Sequence, residues 1–302
     1  VRPRATSRRW HTWRVRTTRR VTTSAPIIGA LIALAACSAP GESTPTSTNP
    51  PPTTTTTAAP SPSTTAAPRT PNVVVPDGEV TGLPLIVVLH GFGGSGAQAR
   101  EVSGVEAAAQ ARGLRAVFAF PDGTGDDGFP RSWNAGGCCP FANLDGVDDV
   151  GYLAALIADL TRDRALDARR VLVAGHSNGG MMAYRLACER PDLVRAVVVG
   201  AGALVAPSCT PSAAVTVLHL HGALDDVVPL AGGATSGMTF PSAERSAGDY
   251  ARAAGCEGTV PEWTCPGGAS VTLVVDPTWT HDWQPAWTER ALDLLASLAP
   301  TG

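Results

Sequence analysis

Ser177 is the residue best placed by its neighbours to act as a nucleophile. It lies in Gly175-His176-Ser177-Asn178-Gly179, between the apolar run Val171 to Ala174 and the helix-forming stretch Asn178 to Cys188, which stops short of Pro191. That order reads as a strand buried on both faces, a sharp turn and a helix start. In a G-x-S-x-G elbow the glycines permit a turn where side chains would clash, and the serine hydroxyl is lifted above the sheet edge beside a helix N-terminus. Such a hydroxyl needs a histidine to take its proton and a carboxylate to orient that histidine, and the chemistry then expected is acyl transfer through a covalent intermediate. The plain alternative is a Gly-rich turn with an incidental serine, in a chain holding 32 Gly among 302 residues.

The elements that must hold this serine alternate along the chain. Strand-like runs at Leu85 to Leu89, Ala116 to Phe120 and Val171 to Ala174 are each followed by a helical pattern, at Ala97 to Ala111, Val150 to Leu160 and Asn178 to Cys188. Further strands are expected at Ala196 to Val199, Val215 to Leu220 and Val271 to Val275, with a closing helix at Ala286 to Leu298. Alternation of this kind predicts an α/β fold, a mostly parallel central sheet with helices on both faces, formed by one domain over residues 72–302. Ligands of such sheets bind at the carboxyl ends of the strands, so partners for Ser177 are sought in the loops after strands.

In the α/β-hydrolase order the acid and then the base follow the nucleophile. Of the six histidines, at 11, 90, 176, 219, 221 and 281, only His281 lies beyond the strand at Val215 to Leu220 and its loop, so it is the expected base. The acid is expected after the preceding strand, in His221-Gly222-Ala223-Leu224-Asp225-Asp226-Val227-Val228-Pro229. Asp225 is preferred over Asp226 because G-x-x-D-x-x-V-P resembles the spacing common in this fold, and Asp276, near His281, is a third candidate. Turn chemistry is the competing explanation for Asp225. For the oxyanion of a tetrahedral intermediate, the N–H of Asn178 and one from Leu89-His90-Gly91-Phe92-Gly93-Gly94, taken as that of Phe92, are the expected donors. No phosphate loop of the G-x-x-x-x-G-K-[ST] type is present, and the chain has no lysine. His219 and His221 share a strand face and could be imagined as a metal pair, but no further ligand at suitable spacing accompanies them, so neither metal nor organic cofactor is expected.

Several segments together resemble the secreted esterases related to polyhydroxybutyrate depolymerases and feruloyl esterases, a group that includes actinobacterial lipoproteins. They are Leu89 to Gly94, Ser132-Trp133-Asn134 with Cys138-Cys139, Asp148-Asp149-Val150, Gly175 to Gly180, His221 to Pro229, Tyr250 to Cys256 and His281-Asp282-Trp283. The resemblance implies Ser177 as nucleophile, Asp225 as acid and His281 as base. It departs before the base, where the family usually has glycines and this chain has Thr278-Trp279-Thr280. Trp133, Asn134 and Trp283 are candidate substrate contacts, and Trp279, Trp283 and Trp287, four apart, would share a helix face, where core packing is the plainer reading.

The amino-terminal residues read as an address. Eight Arg and no acidic residue among residues 1–37, with the eleven-residue apolar stretch Pro26 to Ala36, predict a signal peptide over 1–36. The stretch before it is long for such a signal, which makes Val15 a candidate start. Leu34-Ala35-Ala36-Cys37 resembles a lipobox, making Cys37 the expected lipidated residue and a membrane lipid anchor the expected attachment. Six of the seven Cys then remain to pair: Cys138, Cys139, Cys188, Cys209, Cys256 and Cys265. They allow 15 pairings; a local Cys256 to Cys265 loop is expected, a bridge at Cys188 would brace the elbow, and adjacent Cys138 and Cys139 stay unassigned. Residues 37–71, rich in Ser, Thr and Pro, read as an extended tether. Without residues 1–37 the chain has 15 basic and 26 acidic residues, a formal charge of −11, which argues against a nucleic-acid partner. The expectation is an extracytoplasmic serine carboxylesterase acting on a small or oligomeric ester. An acyltransferase of the same fold and a surface lipoprotein without turnover are the rivals.

Overall fold

The computed structural model describes residues 69–125 and 129–298. The signal peptide, Cys37 and all but the last residues of the tether lie outside the described residues. In chain order the elements are β1 (Asn72–Val74), β2 (Leu85–Leu89), α1 (Gly96–Ser103), α2 (Val105–Ala111), β3 (Val117–Phe120), α3 (Asp149–Asp163), β4 (Val171–His176) and α4 (Asn178–Glu189). Then come β5 (Ala196–Gly200), β6 (Thr216–Gly222), β7 (Gly233–Thr235), β8 (Met238–Phe240), α5 (Ala243–Ala253), β9 (Glu257–Thr259), β10 (Glu262–Thr264), β11 (Ser270–Asp276) and α6 (Pro285–Ser297).

Nine strands form one sheet in the order β1-β3-β2-β4-β5-β6-β11-β10-β9. Strands β3 to β11 through the middle are parallel, while β1 at one edge and the β10–β9 pair at the other run antiparallel. The central strands are aliphatic throughout because both faces are covered. Alternate residues feed two cores: Leu85, Val87, Val171 and Val173 pack with α3, α4 and α5, and Ile86, Val88, Leu172 and Ala174 pack with α1, α2 and α6.

The expected elements are present with three differences. Residues 97–111 make two helices, because Gly104 takes a left-handed φ of 55° and returns its N–H to the Arg100 carbonyl. The β7–β8 and β9–β10 hairpins carry too few apolar residues to have been legible. Of the three tryptophans four apart only Trp287 is helical, since Pro285 starts α6; Trp279 and Trp283 reach its indole from the preceding loop, with centroids 5.9 and 5.7 Å away. Trp287 is buried in the core, and Trp279 and Trp283, partly exposed, pack against it from the loop.

Among the described residues three disulfides are present: Cys138–Cys139, Cys188–Cys209 and Cys256–Cys265. The second pins the last turn of α4 to the segment between β5 and β6, and the third spans the β9–β10 hairpin. Their sequence separations are 21 and 9 residues, so loop entropy predicts a larger loss from opening Cys188–Cys209, about 3 kcal/mol, than from opening Cys256–Cys265, about 2.5 kcal/mol. Urea unfolding of the Cys188→Ala/Cys209→Ala and Cys256→Ala/Cys265→Ala variants measures the difference; equal or reversed losses would show that packing strain outweighs chain entropy.

Candidate active site

The elbow is built from backbone. Strand β4 ends at His176, Ser177 adopts φ 53° and ψ −119°, and α4 begins at Asn178. A Cβ at Gly175 would lie 2.2 Å from the Gly179 carbonyl oxygen, and one at Gly179 would lie 2.4 Å from that of Leu89, so the turn closes only with glycine at both. The Ser177 N–H donates to the Gly200 carbonyl of β5 at 2.8 Å, tying the strained residue to the sheet.

Strands β6 and β11 end beside it. Ser177 O–H donates to His281 Nε2 at 2.9 Å, and His281 Nδ1–H donates to Asp225 Oδ2 at 2.9 Å. Asp225 Oδ1 accepts the N–H groups of Val227 and Val228 at 3.0 and 2.8 Å. Burial alone would raise the Asp225 pKa, but the His281 hydrogen bond and charge, with the Val228 N–H, outweigh it and hold the carboxyl below its ordinary value. Asp226 is exposed on the same turn. Asp276 accepts the N–H and hydroxyl of Thr278. Asp225 is therefore the carboxylate that meets His281. The departure before the base also has a physical reading: the Trp279 carbonyl accepts the Leu224 N–H at 3.1 Å, joining the loop of the histidine to the loop of the aspartate.

The Gly-rich loop after β2 is held from beneath. The Gly91 carbonyl accepts His90 Nδ1–H at 2.7 Å and the Gly94 N–H at 3.0 Å. In a trans peptide the N–H points opposite the carbonyl, so these bonds fix the direction of the Phe92 N–H. A Cβ at Gly91 would lie 3.4 Å from the Ser177 Cβ, which shows how near this peptide passes to the serine. His90 Nε2 accepts the Gly123 N–H at 2.9 Å, and burial lowers the His90 pKa, keeping the ring neutral. The Asn178 N–H opens α4 and, like that of Phe92, has no hydrogen-bond partner among the described residues.

Trp133 and Asn134 correct the sequence expectation, because neither faces the cleft. Trp133 is wholly buried, its indole N–H donating to the His90 carbonyl at 3.0 Å and its backbone N–H to Asn178 Oδ1 at 2.7 Å. Asn134 gives its N–H to Asp149 at 2.7 Å and its amide to the Val147 carbonyl at 2.8 Å. Both brace the loops below the serine. Asp149 in turn holds Arg69 at 2.5 Å, although burial raises its pKa. Trp283 does line the cleft, a hollow of about 380 Å³ beside Ser177 and His281 whose walls include Phe92, Ala99, Val102 and Val227. A larger hollow of about 620 Å³, at Arg195, Thr216 and Ser270, lies at the opposite ends of the strands.

His176 was passed over by the chain-order argument, yet it touches His281. Its Nε2–H donates to the His281 carbonyl at 2.5 Å and the two rings lie 4.9 Å apart. Burial first, and the proximity of His281 second, push its pKa down to about 4. Its position next to the serine, in the x of the elbow, was the signal available in the sequence.

Comparison with known proteins follows the same line. The phospholipase/carboxylesterase family pattern matches residues 147–245. The chain is 31 % identical over 194 residues to feruloyl esterase B of Piromyces equi, covering 61 % of this chain and 34 % of that protein. It is 34 % identical over 176 residues to feruloyl esterase C of Emericella nidulans, covering 56 % and 59 %. The chain thus spans between 34 % and 59 % of the length of these curated relatives. Among solved structures, the carboxylesterase of Bacillus cereus aligns with a TM-score of 0.56 at 16 % identity, covering 76 % of this chain and 95 % of that one. The acetyl xylan esterase from Aspergillus awamori aligns at 0.56 and 15 %, covering 76 % and 94 %. At these identities the structural likeness is one of fold.

The lowered pKa of His176 has a consequence for stability. Between its folded value of about 4 and the ordinary 6.5, the unfolded chain takes up a proton that the folded chain refuses, so stability falls as pH drops through that window. In His176→Gln this contribution is absent, and the slope of unfolding free energy against pH is expected to be shallower than in wild type by up to one proton, about 1.4 kcal/mol per pH unit. Urea unfolding at pH 4.5 to 7 measures it; parallel slopes would show that His176 titrates normally.

Proposed function

We propose that this chain, an α/β-hydrolase by fold, is a carboxylic ester hydrolase in which Ser177 is the nucleophile, His281 the general base and Asp225 its acid partner. The observation that carries the reading is the unbroken file from the Asp225 carboxylate through both nitrogens of His281 to the Ser177 hydroxyl, each step 2.9 Å. Ser177 Oγ attacks the ester carbonyl as its proton passes to His281 Nε2. Asp225 stabilises the imidazolium without taking the proton. The N–H groups of Phe92 and Asn178 receive the oxyanion, His281 returns the proton to the departing alcohol, and water repeats the sequence on the acyl-enzyme.

The cleft walls bear on the substrate. Phe92, Val102 and Val227 are partly exposed around the serine, Trp283 closes one side, and the lining among the described residues holds Asp282 and no arginine. Such walls favour an uncharged, compact acyl group over an anionic one. Feruloyl esterases among the relatives support an ester of a small carboxylic acid. The resemblance of Leu34-Ala35-Ala36-Cys37 to a lipobox and the three disulfides support an extracytoplasmic, lipid-anchored setting.

Hydrolysis of p-nitrophenyl acetate by the full chain tests the reading. Wild type is expected to turn over, Ser177→Ala to lose a factor of about 10⁴ or more, and a fluorophosphonate to label wild type but not the variant. Asp225→Asn should lose roughly 10⁴ in kcat while Asp226→Asn stays within about twofold. Undiminished activity in Ser177→Ala would overturn the nucleophile, and an effect on Asp226 in place of Asp225 would overturn the acid.

A further inference from the structure

Beneath the site lies a file of buried polar side chains that the mechanism above does not use. Tyr184 on α4 and His219 and His221 on β6 are each 0 % exposed. The Tyr184 hydroxyl is 3.0 Å from His219 Nδ1, His219 Nε2 is 3.0 Å from His221 Nδ1, and His221 Nε2 is 2.8 Å from the Val228 carbonyl oxygen. His221 Nε2 also lies 3.5 Å from Asp225 Oδ2, one of the two carboxylate oxygens that His281 Nδ1 reaches, at 2.9 Å and 3.0 Å.

The direction of the file follows from its last member. A carbonyl only accepts, so His221 Nε2 carries the hydrogen. Burial first lowers the pKa of both histidines, opposed only in part by the Gly202 carbonyl at His219 and by the Val228 carbonyl and the Asp225 charge at His221, so each ring is neutral at neutral pH. A neutral His221 with hydrogen on Nε2 accepts at Nδ1, His219 must then donate from Nε2 and accept at Nδ1, and the Tyr184 O–H supplies that donor. Every nitrogen is engaged, which leaves no lone pair for the metal that two histidines on one strand face would suggest.

The file ends on the turn that holds the acid. Val228 gives its N–H to Asp225 Oδ1 at 2.8 Å and takes the His221 hydrogen on its carbonyl, so one residue is clamped from both sides. We propose that Tyr184, His219 and His221 are positioning residues that act through Asp225: the tyrosine fixes the tautomers, and His221 presents a permanent N–H to the Asp225 turn and toward its second carboxylate oxygen. This rests on the ester-hydrolase reading. A strand of β6 type needs no polar file to fold, since its other face is filled by Leu218 and Leu220. The arrangement instead spares Asp225 from accepting a stray donor or turning away from His281, which keeps the imidazole aimed at Ser177.

Two measurements on the full chain test it. Nitrogen-15 spectra of histidine-labelled wild type at neutral pH should show His219 and His221 neutral and protonated on Nε2. In Tyr184→Phe that single-tautomer signature should weaken. In kinetics on p-nitrophenyl acetate, His221→Leu should lower kcat by about 10- to 100-fold with KM within about twofold. His221→Gln, whose amide reaches the Nε2 position, should recover most of the loss, and Tyr184→Phe should lower kcat about threefold or more. An Nδ1-protonated or charged His221 in wild type would overturn the proposal. So would a folded His221→Leu with wild-type kcat, or equal losses in His221→Leu and His221→Gln. If His221→Leu does not fold, Tyr184→Phe decides the case, and an unchanged kcat and spectrum there refute the relay. A wild type that hydrolyses no ester would instead strike the ester-hydrolase reading, with the spectra still reporting on the file.

Discussion

A non-glycine residue held at φ 53° and ψ −119° is the constraint on which the rest of this structure depends. Such a backbone costs of order 1–3 kcal/mol and persists only where its surroundings over-determine it. Here the surroundings are the sheet itself. The register that sets Leu89 beside Gly175 and His176 beside Gly200 brings three strand ends to one level. The Ser177 N–H is then captured by Gly200, and glycines at 175 and 179 let α4 start directly against β2. Loops leaving β2, β6 and β11 have no choice but to meet above the serine. A side chain at Gly179 would push α4 away from β2, and one at Gly175 would push it away from β4, and either would dissolve that meeting point.

Electrostatics within this point are arranged around a single buried anion. Asp225 is ionised because two backbone N–H groups and His281 face it, and those donors belong to its own turn and to the loop that Trp279 ties to it. Around it His90, His176, His219 and His221 are all shifted toward the neutral form by burial, each with a carbonyl or a ring nitrogen as its fixed partner. Neutral imidazoles suit this role. They offer one donor and one acceptor in fixed directions without the desolvation cost of a second charge. His281 is left as the ring set between a carboxylate and a hydroxyl.

What was legible in the sequence reflects what each inference needed. Ser177 and His281 could be singled out because chain order and the strand-end rule need only local patterns: an apolar run, a Gly-rich turn, a histidine after the last strand. Choosing between Asp225 and Asp226 required knowing which way a turn faces, which no periodicity encodes, and the resemblance supplied it. Trp133 and Asn134 stood beside motif residues and so read as contacts, whereas their bonds to His90, Asn178 and Asp149 show scaffolding. Residues 97–111 read as one helix because a single Gly104 looks tolerable in a helical pattern until the chain reverses there. The tryptophans failed differently, since a spacing of four implies a helix face only if the segment is helical throughout, and Pro285 begins that helix too late.

Strand β6 shows how the fold reconciles stability with the site. Its two faces divide the labour: Leu218 and Leu220 fill the core against α6, while His219 and His221 point toward α4 and the Asp225 turn. Apolar residues on both faces would pack as well and avoid desolvating three polar side chains. A buried polar file is tolerable only when every donor and acceptor is matched, because a single orphan costs about 1–3 kcal/mol. The matching here is complete from the Tyr184 hydroxyl to the Val228 carbonyl, and it is directional. A half-formed version of the file would be worse than none, so its members are expected to stand or fall together, and the alternation that put two histidines on one face of a strand was the visible sign of it.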